Sequence, residues 1–226
     1  MGVSDNDPFF SKVAYLAHME GANNSTSIVD SSKTGLSVPV SGVAKITTAK
    51  AKFGAASLDV TGAANCYAQS AANAALALPA DFTMECFVNI RGTVGTGDWC
   101  IFDLRSASAT TGPCILHTGG YAICGQVNGS IRWTDSANSQ NAWKHVAIAR
   151  AGSTCRMFVD GVQIGANYSF ATAIGNGQVT LGKFYNANNG DAKLKLNGNI
   201  DEVRVTVGRA RYTSNFAPPA LPFPNR

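Results

Sequence analysis

Asp201 and Glu202 stand side by side in Gly198-Asn-Ile-Asp-Glu-Val-Arg-Val205, and their chemistry is the first thing to explain. Two carboxyl groups about 5–9.5 Å apart can hydrolyse a glycosidic bond, one as acid and the other as base or nucleophile. Neighbours on a regular strand point to opposite faces, so this pair is not such a dyad. Of the 14 acidic residues, the only two spaced i, i+2 are Asp5 and Asp7, in a polar stretch before the first apolar run. The chain has no nucleophile elbow and no cysteine–histidine protease signature. Cys114, His117 and Cys124 fall within one expected hairpin but lack the fourth ligand of a zinc knuckle. The residues therefore point away from catalysis.

The element that must position Asp201 is a strand. Val203, Val205 and Val207 alternate with Arg204 and Thr206, the period of a half-buried strand. Ile200 is apolar but has the wrong parity relative to Val203. A bulge at Asp201-Glu202 reconciles them, and bulges re-aim side chains toward rims and sites. Upstream, Phe82, Met84, Cys86, Val88 and Ile90 alternate with Thr83, Glu85, Phe87 and Asn89, which predicts a strand buried chiefly on one face. Asn128-Gly129 and Asp160-Gly161 sit between strand-like runs as hairpin turns. Ala71 to Leu78 reads as one or two helical turns. His18 and His145 lie within strand patterns and read as packed, hydrogen-bonded residues. Strands recur roughly every 8–12 residues with turns between them, which predicts an all-β, antiparallel two-sheet sandwich in a single domain.

Composition agrees. Charged residues make up 14% and apolar residues 45%, enough for a large core, and the 23 glycines suit many turns. The formal charge of +4 is mild. Lys193, Lys195, Arg204, Arg209 and Arg211 read as the solvated face of a strand, and without aromatic partners they give no nucleic-acid platform. No apolar run reaches membrane-spanning length, so membrane insertion is not expected. The acidic, polar start is unlike a signal peptide, so synthesis in a host cytoplasm is expected. The six cysteines are too few for a disulfide framework and read as buried thiols.

Several segments resemble the laminin-G-like jelly rolls of the concanavalin A-like lectin/glucanase superfamily. They are Leu16-Ala-His-Met-Glu-Gly21, Asp30-Ser-Ser32, Lys52-Phe-Gly-Ala-Ala-Ser57, Asp81-Phe-Thr-Met-Glu-Cys-Phe-Val88, Trp143-Lys-His-Val-Ala-Ile-Ala-Arg150, Met157-Phe-Val-Asp-Gly-Val162, Val179-Thr-Leu-Gly182 and Gly198 to Val205. The ending, Gly208-Arg-Ala-Arg-Tyr-Thr-Ser-Asn-Phe-Ala-Pro-Pro219 with Leu221-Pro-Phe-Pro224, is similar to versions in tailed-phage virion proteins. The resemblance implies a jelly roll over residues 13–217, with a flexible arm (1–12) before it and a Pro-rich extended tail (218–226) after it. Both flanking segments are suited to docking on neighbours.

The resemblance also implies a rim calcium site at Glu20, Asp30 and Asp201, since a hard cation takes carboxylate oxygens. The alternative is that Asp30 caps a turn and Asp201 bonds backbone amides at the bulge. Loops carrying Trp133 and Asp135, and Tyr185, Asn188 and Asp191, pair an aromatic face with polar groups, as sugar sites do. The same residues are ordinary loop formers. The implied role is a non-enzymatic, lectin-like surface protein of a phage virion, binding host-surface glycan or other virion proteins, as a homo-oligomer in the particle. The rival role is a structural decoration subunit, and polysaccharide degradation is a third.

Overall fold

The computed structural model describes residues 6–63, 65–93, 97–186 and 195–226. Their strands are β1 (Val13–Ala17), β2 (Val40–Ser41), β3 (Lys45–Thr47), β4 (Ser57–Thr61), β5 (Tyr67–Gln69), β6 (Phe82–Gly92), β7 (Trp99–Asp103), β8 (Cys114–His117), β9 (Ile123–Val127), β10 (Ser130–Thr134), β11 (Trp143–Ala151), β12 (Thr154–Val159), β13 (Val162–Ser169), β14 (Thr180–Leu181) and β15 (Asn197–Val207). The alanine-rich stretch closes as a single 3-10 turn, Ala74–Leu76, capped by the Asn73 side chain.

Two antiparallel sheets face each other in a jelly-roll β-sandwich. One runs β13-β12-β11-β6-β15-β4-β3 with β1 also on β15; the other runs β10-β9-β8-β7-β14-β5-β2. The expected bulge is present. Pairing of β15 with β6 slips between Asp201 and Arg204, and Glu202 takes φ 49°, so Ile200, Val203 and Val205 all reach the inter-sheet core. The hairpin turns also form as read, with positive φ at Asn128 and Gly129 and at Asp160 and Gly161, the requirement of a type I′ turn.

The bulge has a topological result that periodicity does not foretell. One edge of β15 pairs with β6 along its whole length. The other edge pairs with β4 through Asn197–Ile200, then with β1 through Val203–Thr206. Asp201-Glu202 is the branch point between the two partners.

The outer face of the eight-stranded sheet corrects three expectations. β6 is buried on both faces, with Glu85 and Asn89 as inaccessible as Met84. Arg204 is buried rather than solvated; Lys195 is buried too, though beside Cys100 of the other sheet, and Lys193 lies outside the described residues. The flanking segments cover this face and pack on their own domain. Asp7 is buried, Phe10 packs with Val13, Leu16 and Phe87, and Phe223 joins them from the tail. Tyr212 and Phe216 cover Ala147, Ala149 and Phe158. A strand with polar residues on alternate positions can still be buried twice over when a second layer of chain supplies partners for those groups.

Candidate functional site

The two acids of the branch point hold the two strands that meet there. Asp201 accepts the amides of Lys52 (2.8 Å) and Phe53 (3.2 Å) on one carboxylate oxygen and that of Glu202 (2.9 Å) on the other, tying down the loop that leads into β4. Glu202 accepts from Nδ1 of His18 (2.8 Å), the residue after β1, and from the amide of Phe223 (2.8 Å). His18 Nε2 completes the strap by bonding Asn225 Oδ1 (2.6 Å). Burial raises the Asp201 carboxyl, its three amide donors lower it, and neighbouring Glu202 raises it again; the balance lies at about 7. Burial lowers the His18 imidazole, but its bond to Glu202 outweighs this and leaves it raised.

The expected calcium ligands do not form one oxygen cluster. Glu20 accepts the Ala55 amide (2.9 Å). The other end of the same loop is held by Asp201, with Gly54 between them at φ +59° and no room for a Cβ beside the Glu20 carboxylate. Asp30 accepts the amides of Leu16 (3.0 Å), Ser32 (2.9 Å) and Leu36 (2.6 Å). Ligand oxygens of Glu20, Asp30 and Asp201 do not all three lie within 4.8 Å of one another. A shared calcium ion needs the oxygens gathered within its first shell, and this arrangement of the three carboxyl groups does not gather them.

The other buried carboxylates are engaged too. Glu85 bonds Arg204 Nε (2.9 Å), His145 Nε2 (3.0 Å) and the Tyr212 hydroxyl (2.8 Å), while Asp7 bonds Arg211 (2.6 Å) and Arg204 (3.4 Å). Burial alone raises the Glu85 carboxyl, but Arg204, His145 and Arg211 outweigh it and hold it far below its usual range. Cys100, Asp103 and Cys114 do lie within 4.8 Å of one another. Arg105 grips Asp103 with two nitrogens (2.9 and 2.8 Å), and burial raises both thiols, so the Asp103 carboxylate here is engaged in a buried ion pair. Cys114, His117 and Cys124 do not converge on one point. His117 instead stacks on Trp99 with centroids 5.1 Å apart, and burial pushes its imidazole down to about 4.

An open polar groove lies on the outer face at the edge strand. Opposite β12, strand β13 slips register between the pairs Cys155↔Tyr168 and Met157↔Ile164, so Arg156 alone faces Gly165, Ala166 and Asn167. Gly165 makes the bend at φ +63°. The gap opens into a depression of about 630 Å³ lined by Arg156, Gln163, Asn167 and the segment Thr213-Ser214-Asn215. That volume is in the range of small-ligand sites. Gln163 organises the walls. Its amide N–H donates to Asn215 Oδ1 (2.9 Å) and its side-chain nitrogen to Asn167 Oδ1 (3.1 Å).

A laminin-G-type family model, described as the concanavalin A-like lectin/glucanases superfamily, matches residues 60–210, well over half of the sequence. The chain belongs to this superfamily. Comparison with curated proteins gives no match. Solved structures resemble this concanavalin A-like chain in fold. The binding domain of Paraclostridial Mosquitocidal Protein 1 aligns at TM-score 0.64 and 15% identity, over 90% of this chain and 50% of that one. The binding domain of botulinum neurotoxin serotype D/C aligns at 0.65 and 12%, over 88% and 49%. A Trypanosoma rangeli sialidase aligns at 0.61 and 10%, over 87% and 31%. The concanavalin A-like chain thus spans about half the length of the first two and less of the third.

Of the loop residues expected to meet a sugar, three fall among the described residues of this superfamily member. Trp133 is a correction: its ring is in the inter-sheet core, 3% exposed, and its Nε1 donates to the Ala166 carbonyl (2.8 Å). Asp135 closes an Asx turn on the Ala137 amide. Tyr185 is half-buried with Arg105 5.3 Å above its ring. Asn188 and Asp191 lie outside the described residues. The groove residues escaped sequence reading because Gln, Asn, Thr and Ser next to turns carry no signal of their own. The unusual Gly165 between strand-like runs was the one available hint.

Proposed function

We propose that this chain is a non-enzymatic attachment module of a phage virion surface, and that the groove beside Arg156 receives a host-surface saccharide. The groove carries the reading: it is shallow, open to water and lined by directed hydrogen-bonding groups beside a register slip, the kind of surface that recognises hydroxyls. Binding domains of a mosquitocidal protein and of a neurotoxin give precedents for this fold in attachment, although fold alone does not assign function. The engagement of Glu85, Asp103, Asp201 and Glu202 by internal donors supports the absence of catalysis, since none is left as an acid–base pair facing solvent. The virion setting rests on the similarity of the Gly208–Pro224 ending. Packing of the tail against the domain's own sheet favours attachment through the groove over docking by free arms.

The test is retention of the purified protein on intact host cells and on a glycan array. Saccharide-dependent retention supports the proposal. Stoichiometric binding to particles stripped of the protein, with no retention on cells, favours a decoration subunit instead. Turnover of a polysaccharide that is lost on neutralising Asp201 would make it an enzyme.

A further inference from the structure

We propose that the groove selects an acidic saccharide, with Arg156 receiving the carboxylate or sulfate of the sugar; this rests on the attachment reading above. Arg156 is half-exposed at the base of the register slip, and among the described residues no carboxylate pairs with it and none lines the groove. Arg204 and Arg211, on the same outer layer, are by contrast each matched to an acid. A guanidinium kept beside a bulge without a counter-ion is an anion receptor, because its fixed fork matches the geometry of carboxylate and sulfate oxygens.

The walls are polarised in the same sense. Asn215 and Asn167 each give one lone pair of their carbonyl oxygen to Gln163, which fixes both side chains and leaves their NH₂ groups as donors. Thr213 and Ser214 add hydroxyls that donate or accept. The groove thus sets neutral hydrogen-bonding groups, NH₂ donors among them, beside the one guanidinium that lines it. A neutral sugar hydroxyl can bond here, but an anionic group satisfies several donors and the guanidinium at once. The mild positive charge of the chain, +4, adds long-range attraction of the same sign.

The experiment is calorimetric titration of the native chain with a glucuronic-acid-containing disaccharide, a sulfated disaccharide and their neutral parent. Arg156→Gln and Asn215→Asp are titrated in parallel, with melting temperatures confirming that each variant folds. The expected result is binding of at least one acidic sugar about tenfold or more tighter than the neutral parent, weakened by salt. Arg156→Gln should erase that preference while keeping the weak neutral binding, and Asn215→Asp should reverse it by placing a carboxylate in the groove. Which acidic probe wins separates carboxylate from sulfate recognition. Equal binding of neutral and acidic sugars, or a preference unchanged in Arg156→Gln, overturns the proposal while leaving the attachment reading in place. No binding of any saccharide by the native chain sinks both.

Discussion

Asp201 and Glu202 are adjacent in sequence yet hold different strands: Asp201 bonds the loop entering β4, and Glu202 bonds His18 at the end of β1. They can do so because the bulge turns the backbone at Glu202 through positive φ, so the two side chains do not alternate as in a regular strand. The bulge, the branch in the sheet and the two acids are one device. It joins the end of β1, the loop entering β4 and the C-terminal tail to the central strand.

Asp201→Asn should therefore weaken the fold although it keeps shape. Three amide N–H groups point at the carboxylate, and an amide side chain must turn its own NH₂ toward at least one of them. A loss of about 1–3 kcal/mol is expected, read from urea unfolding at fixed pH. Glu202→Gln should cost less globally but speed amide exchange at Phe223, whose N–H it accepts.

The pH dependence has a definite sign. Asp201 titrates at about 7 in the folded chain, above the ordinary aspartate value of 3.8, so the folded state holds this proton more tightly than the unfolded state. Its contribution is fully present below pH 3.8 and is lost as pH rises to about 7. His18, also raised, acts in the same direction, its contribution fading as pH rises above 6.5 through its folded value. Glu85 and Asp7, both lowered, act oppositely: their contribution is present above the ordinary carboxylate range and disappears on acidification. Melting temperature should fall from mildly acidic to neutral and slightly basic pH, and the slope should flatten in Asp201→Asn. An unchanged slope in that variant would show that the carboxyl is not the titrating group.

Glu85→Ala should be among the most damaging single changes. It leaves Arg204 buried on the outer face without its main partner, facing only Asp7 and the Phe223 ring 3.8 Å away. Breaking a buried pair from one side costs about 3–5 kcal/mol. Chemical unfolding measures the loss, and heightened protease sensitivity of residues 6–12 and 209–226 should accompany it.

Calcium should not stabilise the chain. Glu20, Asp30 and Asp201 are committed to backbone amides at separate places. Equal melting temperatures in excess calcium and in chelator are expected. A rise of several degrees with calcium would show that these acids leave their amides to bind the ion.

Much of the architecture was legible because strands and turns announce themselves locally. Val203, Val205 and Val207 set a face, Ile200 broke the parity, and a bulge was the only local solution. Asn128-Gly129 and Asp160-Gly161 demanded turns that only positive φ satisfies. The Asp201 site was legible to the same depth, as a choice between a cation and backbone amides. Only tertiary structure supplies the amides that Asp201 bonds, because the donors at Lys52 and Phe53 lie about 150 residues away in sequence. The burial of Arg204, the placing of Trp133 in the core and the groove at Arg156 were likewise invisible. Alternation reports which residues share a face, whereas what covers that face depends on distant segments. Sequence determined the strands, turns and bulge of this protein. Only the packing of the 6–12 and 209–226 segments decided which of the outer-face charges are buried and paired, and the register slip between β12 and β13 placed Arg156 beside an open groove.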